Sequence, residues 1–210
     1  MAADGLLFAY TDPKTVPLDE FNDWYDTEHG PARMTVPGIS AACRYRALDG
    51  EAPPWLALYE MTYGTTDSPE YKALAASASE REKSLMSRIE LGRRVYQQVS
   101  SDGPEPDGPS PAVMVVAISV PPDVEDDMAA WYADEHIPML LEVPGWRRIR
   151  RYRLTAGTAP AWLSLHEISG PEVFDEPAYQ AASSTPWRNR IVGSAVARER
   201  RVFGFYKSFG

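Results

Sequence analysis

Residues 24–38 read Trp-Tyr-Asp-Thr-Glu-His-Gly-Pro-Ala-Arg-Met-Thr-Val-Pro-Gly, and residues 131–145 read Trp-Tyr-Ala-Asp-Glu-His-Ile-Pro-Met-Leu-Leu-Glu-Val-Pro-Gly. The two stretches align without a gap at an offset of 107. The match runs on through Arg44-Tyr45-Arg46 against Arg151-Tyr152-Arg153 and ends at Glu60 against Glu167. Across 24–62 and 131–169 there are 18 identities in 39 positions. A repeat of this length sets the architecture before any local element is assigned, because both copies must fold by one plan. It also points to chemistry, since two of the three histidines, His29 and His136, fill the same slot.

Working outward from the repeat, each half reads β-α-β-β-α-β. In the first half, Leu6 to Tyr10 form an apolar run closed by Asp12-Pro13, as in a buried strand. A helix follows from about Pro17, with Asp19 and Glu20 in its first turn, where the helix dipole favours negative charge. Phe21, Trp24, Tyr25, Glu28, His29 and Ala32 recur at spacings of three and four and form its inward stripe. Asn22, Asp23, Asp26 and Thr27 fall on the outward side. Val36-Pro37-Gly38 ends the helix and turns the chain. Strands at about 39–48 and 54–63, a helix at 68–88 and a strand at 94–99 complete the half.

The second half repeats this order as strand 112–120, helix 123–141, strands 146–155 and 161–169, helix 177–192 and strand 199–207. Between the halves, residues 101–111 hold four prolines and two glycines and read as a linker. The expected domains are therefore a first repeat at 1–100, the linker at 101–111 and a second repeat at 112–210. The order is the ferredoxin-like one, an α+β fold in which helices cover one sheet face and leave the other bare. A bare apolar face needs a partner, so the two repeats are expected to pack sheet to sheet within the chain.

The 210 residues carry 21 basic and 30 acidic side chains, a net charge of −9. That balance argues against nucleic acid or an anionic membrane as partner, because both reward a basic face. Cys43 is alone, so no intrachain disulfide can form. No basic segment followed by an apolar core opens the chain, and no apolar run approaches a membrane span. A soluble, cytoplasmic protein is expected, with a small molecule as its partner and a homodimer left open. No Walker loop, no G-x-G-x-x-G after a strand, no metal-ligand spacing and no G-x-S-x-G elbow occurs, so neither cofactor nor metal is expected.

The Glu-His pairs are the sharpest candidates for chemistry. Burying a carboxylate and an imidazole costs free energy unless each finds a partner, so Glu28-His29 and Glu135-His136 on an apolar stripe serve either structure or function. In the functional reading His136 or His29 is a general acid/base, and Glu135 or Glu28 holds or tunes it. In the structural reading the same groups cap the helix end. The more apolar neighbours of His136, among them Ile137 and Met139, favour that copy. Trp24, Tyr25, Trp131, Tyr132 and Tyr152 are candidate cavity walls, though most such aromatics are core. His166 could line the cavity or stand partly exposed on its strand. Arg147 to Arg153 could grip a substrate carboxylate, or pair with acids on neighbouring strands such as Glu60 and Glu167.

The pattern W-Y-x-x-E-H-x-P-x-x-x-x-x-P-G, followed by a basic-aromatic strand and W-L-x-L, resembles the EthD-like branch of the dimeric α/β-barrel superfamily. Both halves carry it, Trp24 to Gly38 and Trp131 to Gly145, so the chain looks like two such repeats fused. The resemblance implies a cofactor-independent small-molecule site between helices and sheet, with a histidine at the place of His29 or His136 as acid/base. Relatives include decarboxylases and cyclases of aromatic polyketides, lactone isomerases and quinone-forming monooxygenases, and more distant ones bind haem. The expected activity is that of a cofactor-free lyase or isomerase on an aromatic or polyketide-like small molecule. A monooxygenase and a non-catalytic binding protein of the same fold are the alternatives.

Overall fold

The computed structural model describes residues 3–210. By their contacts the residues fall into two compact units, one of 3–97, 155–157 and 206–210, the other of 98–154 and 158–205. The first unit contains β1 (Gly5–Asp12), α1 (Leu18–Trp24), α2 (Gly30–Met34), β2 (Ile39–Ala47), β3 (Trp55–Met61), α3 (Pro69–Ala76), α4 (Glu80–Met86) and most of β4 (Glu90–Asp102). The second contains β5 (Ala112–Ser119), α5 (Glu125–Trp131), α6 (Ile137–Leu141), β6 (Trp146–Ala156), β7 (Trp162–Ile168), α7 (Pro177–Ala182), α8 (Pro186–Gly193) and most of β8 (Ala197–Phe209).

Within the first unit β1 pairs antiparallel with β3 and β4, and β2 with β3. Within the second, β5 pairs antiparallel with β7 and β8, and β6 with β7. The expectation of two ferredoxin-like repeats packed sheet to sheet is overturned here. The hydrogen-bonded order β1-β3-β2-β8-β5-β7-β6-β4 closes into one eight-stranded barrel. Stacking would have left four strand edges with unpaired N–H and C=O groups, and closure removes every edge. The sequence pattern reports which faces are buried. It says nothing of whether edges meet, because edge pairing is a backbone interaction.

Strands buried on both faces need apolar residues at nearly every position. β1 meets this demand, with seven of its eight residues buried. Leu7 and Ala9 join a core with Phe21, Trp24 and Tyr25 of the helical segment, while Leu6 and Phe8 on the opposite face are fully buried as well. The second unit builds the matching core from Met114, Met128, Trp131, Tyr132 and Leu140. Both units carry a β-bulge at the same repeat position, between Ile39 and Ala41 and between Trp146 and Arg148. The bulge re-registers the arginine run. Arg148 donates to Glu167 at 3.0 Å and Arg150 forms an ion pair with it at 2.8 Å, and Glu167 is 4% exposed. Arg151 turns to the opposite face.

The long helix expected at 68–88 is two helices, α3 and α4, and the one at 177–192 is likewise split into α7 and α8. Ser79 accepts the Glu82 N–H and Thr185 accepts the Arg188 N–H, so each second helix has its own N-cap. Ser79-Glu80-Arg81-Glu82 is a capping-box sequence, and that start signal was legible. β4 and β8 are also longer than expected, 13 residues each. Among the described residues no helix is long and apolar enough to cross a membrane.

The Val-Pro-Gly turn ends as its sequence requires. Gly38 and Gly145 have φ of 97° and 87°, a region that L side chains rarely adopt. A Cβ on Gly145 would stand 2.9 Å from Val173 Cγ1 and closer still to Ser169 Oγ. Gly145→Ala is expected to lower the unfolding free energy by about 1–3 kcal/mol, from strain and overpacking together. Gly193 closes α8 with open space around its Cα, so Gly193→Ala should gain about 0.4–1 kcal/mol. Urea unfolding midpoints of the two variants, at unchanged slope, check both signs.

Candidate functional site

The repeated motif does not form one regular helix. After α1 the turn Tyr25–His29 is π-helical, and Tyr132–His136 is π-helical after α5. The Gly30 N–H donates to the Tyr25 carbonyl and the Ile137 N–H to the Tyr132 carbonyl, five residues back in each case. Pro31 and Pro138 follow directly. A proline inside a helix has no N–H to give and crowds the carbonyl four residues back. The wider π turn accommodates it, and such turns concentrate at functional sites. It also changes which side chains meet, bringing residue i+5 over residue i. The His29 ring lies 4.8 Å from that of Trp24, and the His136 ring stacks on Trp131 at 4.3 Å and 24°.

Glu28 and Glu135 are carried away from the interior by the same turn, against the expected inward stripe. Glu28 is half-exposed and bonds to Arg81, and Glu135 accepts a hydrogen bond from Thr185 Oγ1 at 2.6 Å. Neither touches its histidine. Asp26, expected in solvent, forms an ion pair with Arg44, which is 1% exposed. Arg44 also donates to Asn22 and lies over the Tyr25 ring at 4.1 Å.

Each unit has a small hollow between its helices and the helix-facing side of its sheet. In the first unit it has room for about 60 Å3 of water centres and is lined by Trp24, Tyr25, His29, Tyr59 and Arg33, among others. The histidine here is engaged, with His29 Nδ1 and Glu82 Oε1 3.0 Å apart. Burial pushes the His29 pKa down and the Glu82 contact opposes it, while the same contact holds the Glu82 carboxyl below its usual range. Tyr25 and Tyr59 share a hydroxyl–hydroxyl hydrogen bond. Burial raises both phenols.

The second hollow, with about 50 Å3 for water centres, has the same plan and different chemistry. Trp131, Tyr132 and His136 occupy the matching places, but Glu82, third after its N-cap Ser79, is matched by Arg188, third after Thr185, and no carboxylate lines this hollow. His136 Nδ1 is buried without a hydrogen-bond partner. Burial and the nearby Arg188 guanidinium push its pKa down to about 4, opposed only by a hydrogen bond to the backbone of Ala182. Tyr59 is matched by His166, which is 1% exposed, faces the hollow and also has an unpartnered Nδ1. The partly exposed strand histidine is thereby corrected. Burial, with His136 and Arg200 nearby, drives its pKa well below the usual range.

Of the sequence candidates, the structure brings Trp131, Tyr132, His136 and His166 together in one unit and Trp24, Tyr25 and His29 in the other. Tyr152 is buried on the far face of its strand and lines neither hollow. Sequence reasoning missed Arg188, Arg198 and Arg200, which also line the second hollow. The repeat offset held a signal for one of them, since Arg198 stands where the first half has Leu91.

No protein-family model matches the chain, and no curated protein matches it in sequence. Solved structures do match its fold. An anthrone oxidase-like protein superposes with a TM-score of 0.66 at 11% identity, covering 100% of this chain and 95% of its own. A mutant chlorite dismutase from Candidatus Nitrospira defluvii, in complex with cyanide, gives 0.65 at 10%, covering 98% and 92%. A monooxygenase-like protein from Listeria innocua gives 0.54 at 10%, covering 99% and 98%. The fold is that of the dimeric α/β-barrel proteins. At these identities the likeness establishes fold and leaves function to the site.

Haem, which more distant barrels of this kind bind, does not fit either hollow. A porphyrin is far larger than a space that admits a few waters. Among the described residues no three His, Cys, Asp or Glu side chains gather as a metal site.

The buried neutral imidazoles make stability depend on pH. Between about pH 4 and 6.5 the unfolded chain binds a proton at residue 136 and the folded chain does not. Stability is therefore complete above the unfolded pKa and falls as pH drops through this window, by up to about 3 kcal/mol for this group. His136→Gln is expected to flatten the slope. Urea titrations at pH 4.5, 5.5 and 7 measure it, and an unchanged slope in the variant would show that the folded ring is already protonated.

Proposed function

We propose that the chain is two EthD-like repeats, residues 1–100 and 112–210 joined by 101–111, and that the second works as a cofactor-free enzyme on a small aromatic or polyketide-like molecule. The observation that supports this reading is the difference between the hollows. His29 is tied to Glu82, whereas His136 lines its hollow with Nδ1 buried and unpartnered, beside a second buried histidine. A duplicated structural device would look alike in both copies. A site that works in one copy need not.

His136 is neutral at pH 7, so it acts first as a base. It takes a proton from a carbon next to a carbonyl, the C–H electron pair passes into an enolate, and the proton returns from the imidazolium to another atom of the substrate. Nothing is oxidised, and the balance is that of an isomerase or cyclase. A decarboxylation would need the protonated ring, which burial and Arg188 disfavour, so proton abstraction is the better-supported branch of the lyase or isomerase reading. The imidazolium forms in an unfavourable field and gives up its proton readily. General base help of this kind contributes about 10²–10⁴-fold.

A second reading, a cofactor-free monooxygenase, shares this first step. It draws on the anthrone oxidase-like and monooxygenase-like names of the fold's relatives. Incubating the protein in D2O with a panel of small aryl ketones, followed by proton NMR and an oxygen electrode, tests both. Deuterium uptake at the activated carbon is expected, and loss of about 10²–10⁴-fold in His136→Gln against less than tenfold in His29→Gln. Full exchange in His136→Gln sinks the assignment, and oxygen uptake would move it to the second reading.

A further inference from the structure

The second hollow is graded in polarity from rim to floor. Exposed Arg198 and Arg200 and half-buried Arg188 stand at its solvent side, and fully buried His166 lies at its inner end with an unpartnered Nδ1. Between them the wall is apolar, with Met114, Val116, Ile118 and Leu140. No carboxylate stands in this lining. In a chain with 30 acidic and 21 basic residues, three guanidinium groups around one opening without a counter-charge are not a product of composition.

In the first unit Glu82 takes the place of Arg188 and engages His29, and Arg81 beside it is held by Glu28 and Asp23. Leu91 takes the place of Arg198, and only Arg93 matches Arg200. The three guanidiniums of the second unit also act on one another. Burial lowers the Arg198 pKa, and repulsion from Arg188 and Arg200 adds to it. A bound anion relieves that repulsion, and guanidinium forks suit a planar carboxylate.

We propose that the second hollow takes a small organic carboxylate, its anionic end held by Arg188, Arg198 and Arg200 at the rim and its apolar body directed along the wall toward His136 and His166. An inorganic anion satisfies the rim and leaves the apolar wall unused. A neutral molecule fills the wall and leaves the rim uncompensated. The carboxylate serves as a handle, and the carbon that reacts lies at the other end of the molecule. The proposal rests on the reading of this hollow as the working site, and the test below uses binding alone, so the two can fail separately.

Benzoate, benzamide and inorganic phosphate are titrated into the full chain and followed by isothermal calorimetry and by tryptophan fluorescence, to which Trp131, stacked on His136, contributes as one of six tryptophans. Benzoate is expected to bind at least tenfold more tightly than benzamide, and more tightly than phosphate. Arg188→Gln combined with Arg198→Gln should weaken benzoate at least tenfold and leave benzamide within twofold. Raising salt from about 0.05 to 0.5 M should weaken benzoate in the wild type far more than in that variant. Arg93→Gln, which matches Arg200 in the first unit, should leave benzoate binding unchanged. Arg198→Lys, which keeps the charge, guards against a misfolded variant and should retain benzoate binding within about threefold. Equal affinity for benzoate and benzamide overturns the proposal, as does no binding of either or undiminished benzoate binding in the double variant. Phosphate binding as tightly as benzoate overturns the organic part of it. If benzoate is discriminated as expected while His136→Gln still exchanges deuterium fully, the anion site stands and the proton-transfer reading falls.

Discussion

A proline that cannot continue an α-helix, placed directly after a histidine, governs the site. Pro31 and Pro138 force the preceding turn to widen, and the widened turn lays the imidazole against the tryptophan five residues before it. An ordinary α-helical turn would bring i+4 over i and leave the histidine pointing elsewhere. The placement of His29 and His136 in the hollows descends from that local conflict. The same displacement releases Glu28 and Glu135 toward Arg81 and Thr185.

Given this shared geometry, the two copies diverge in what surrounds the ring. In the first, Glu82 engages His29 and the Tyr25 and Tyr59 hydroxyls share a hydrogen bond, while Trp24 Nε1 and Arg33 Nη1 stay without one. In the second, Arg188 stands in the place of Glu82 and His166 in that of Tyr59, with Arg198 and Arg200 nearby. The result is a site with unsatisfied nitrogen atoms and uncompensated positive charge, and a native fold tolerates such a cost where it is used. Arg151 extends the contrast. Its counterpart Arg44 is paired with Asp26, whereas residue 133 is Ala and Arg151 rests on the Tyr132 ring at 4.0 Å.

The barrel shows what strand closure does for a duplicated chain. Residues at the ends of β6 and β8 belong by their contacts to the first unit, although most of each strand belongs to the second. Apolar packing accounts for each unit's helix-facing core.

The sequence by itself determined the duplication, the order of strands and helices, the turn at Val-Pro-Gly and the slot of the two histidines, because repeats, periodicity and turn residues are local signals. It also contains Ser79-x-x-Glu82, a capping-box start inside the segment 68–88 that was expected as one helix. Only the tertiary structure decided that the strands close edge to edge, since backbone pairing leaves no trace in side-chain pattern. It alone decided that Glu28 and Glu135 turn away, because a π turn shifts every later side chain by about one position. The company of His136 was likewise beyond sequence. Arg188, Arg198 and His166 come from three separate elements, and only the folded chain brings them to one hollow without a carboxylate among them.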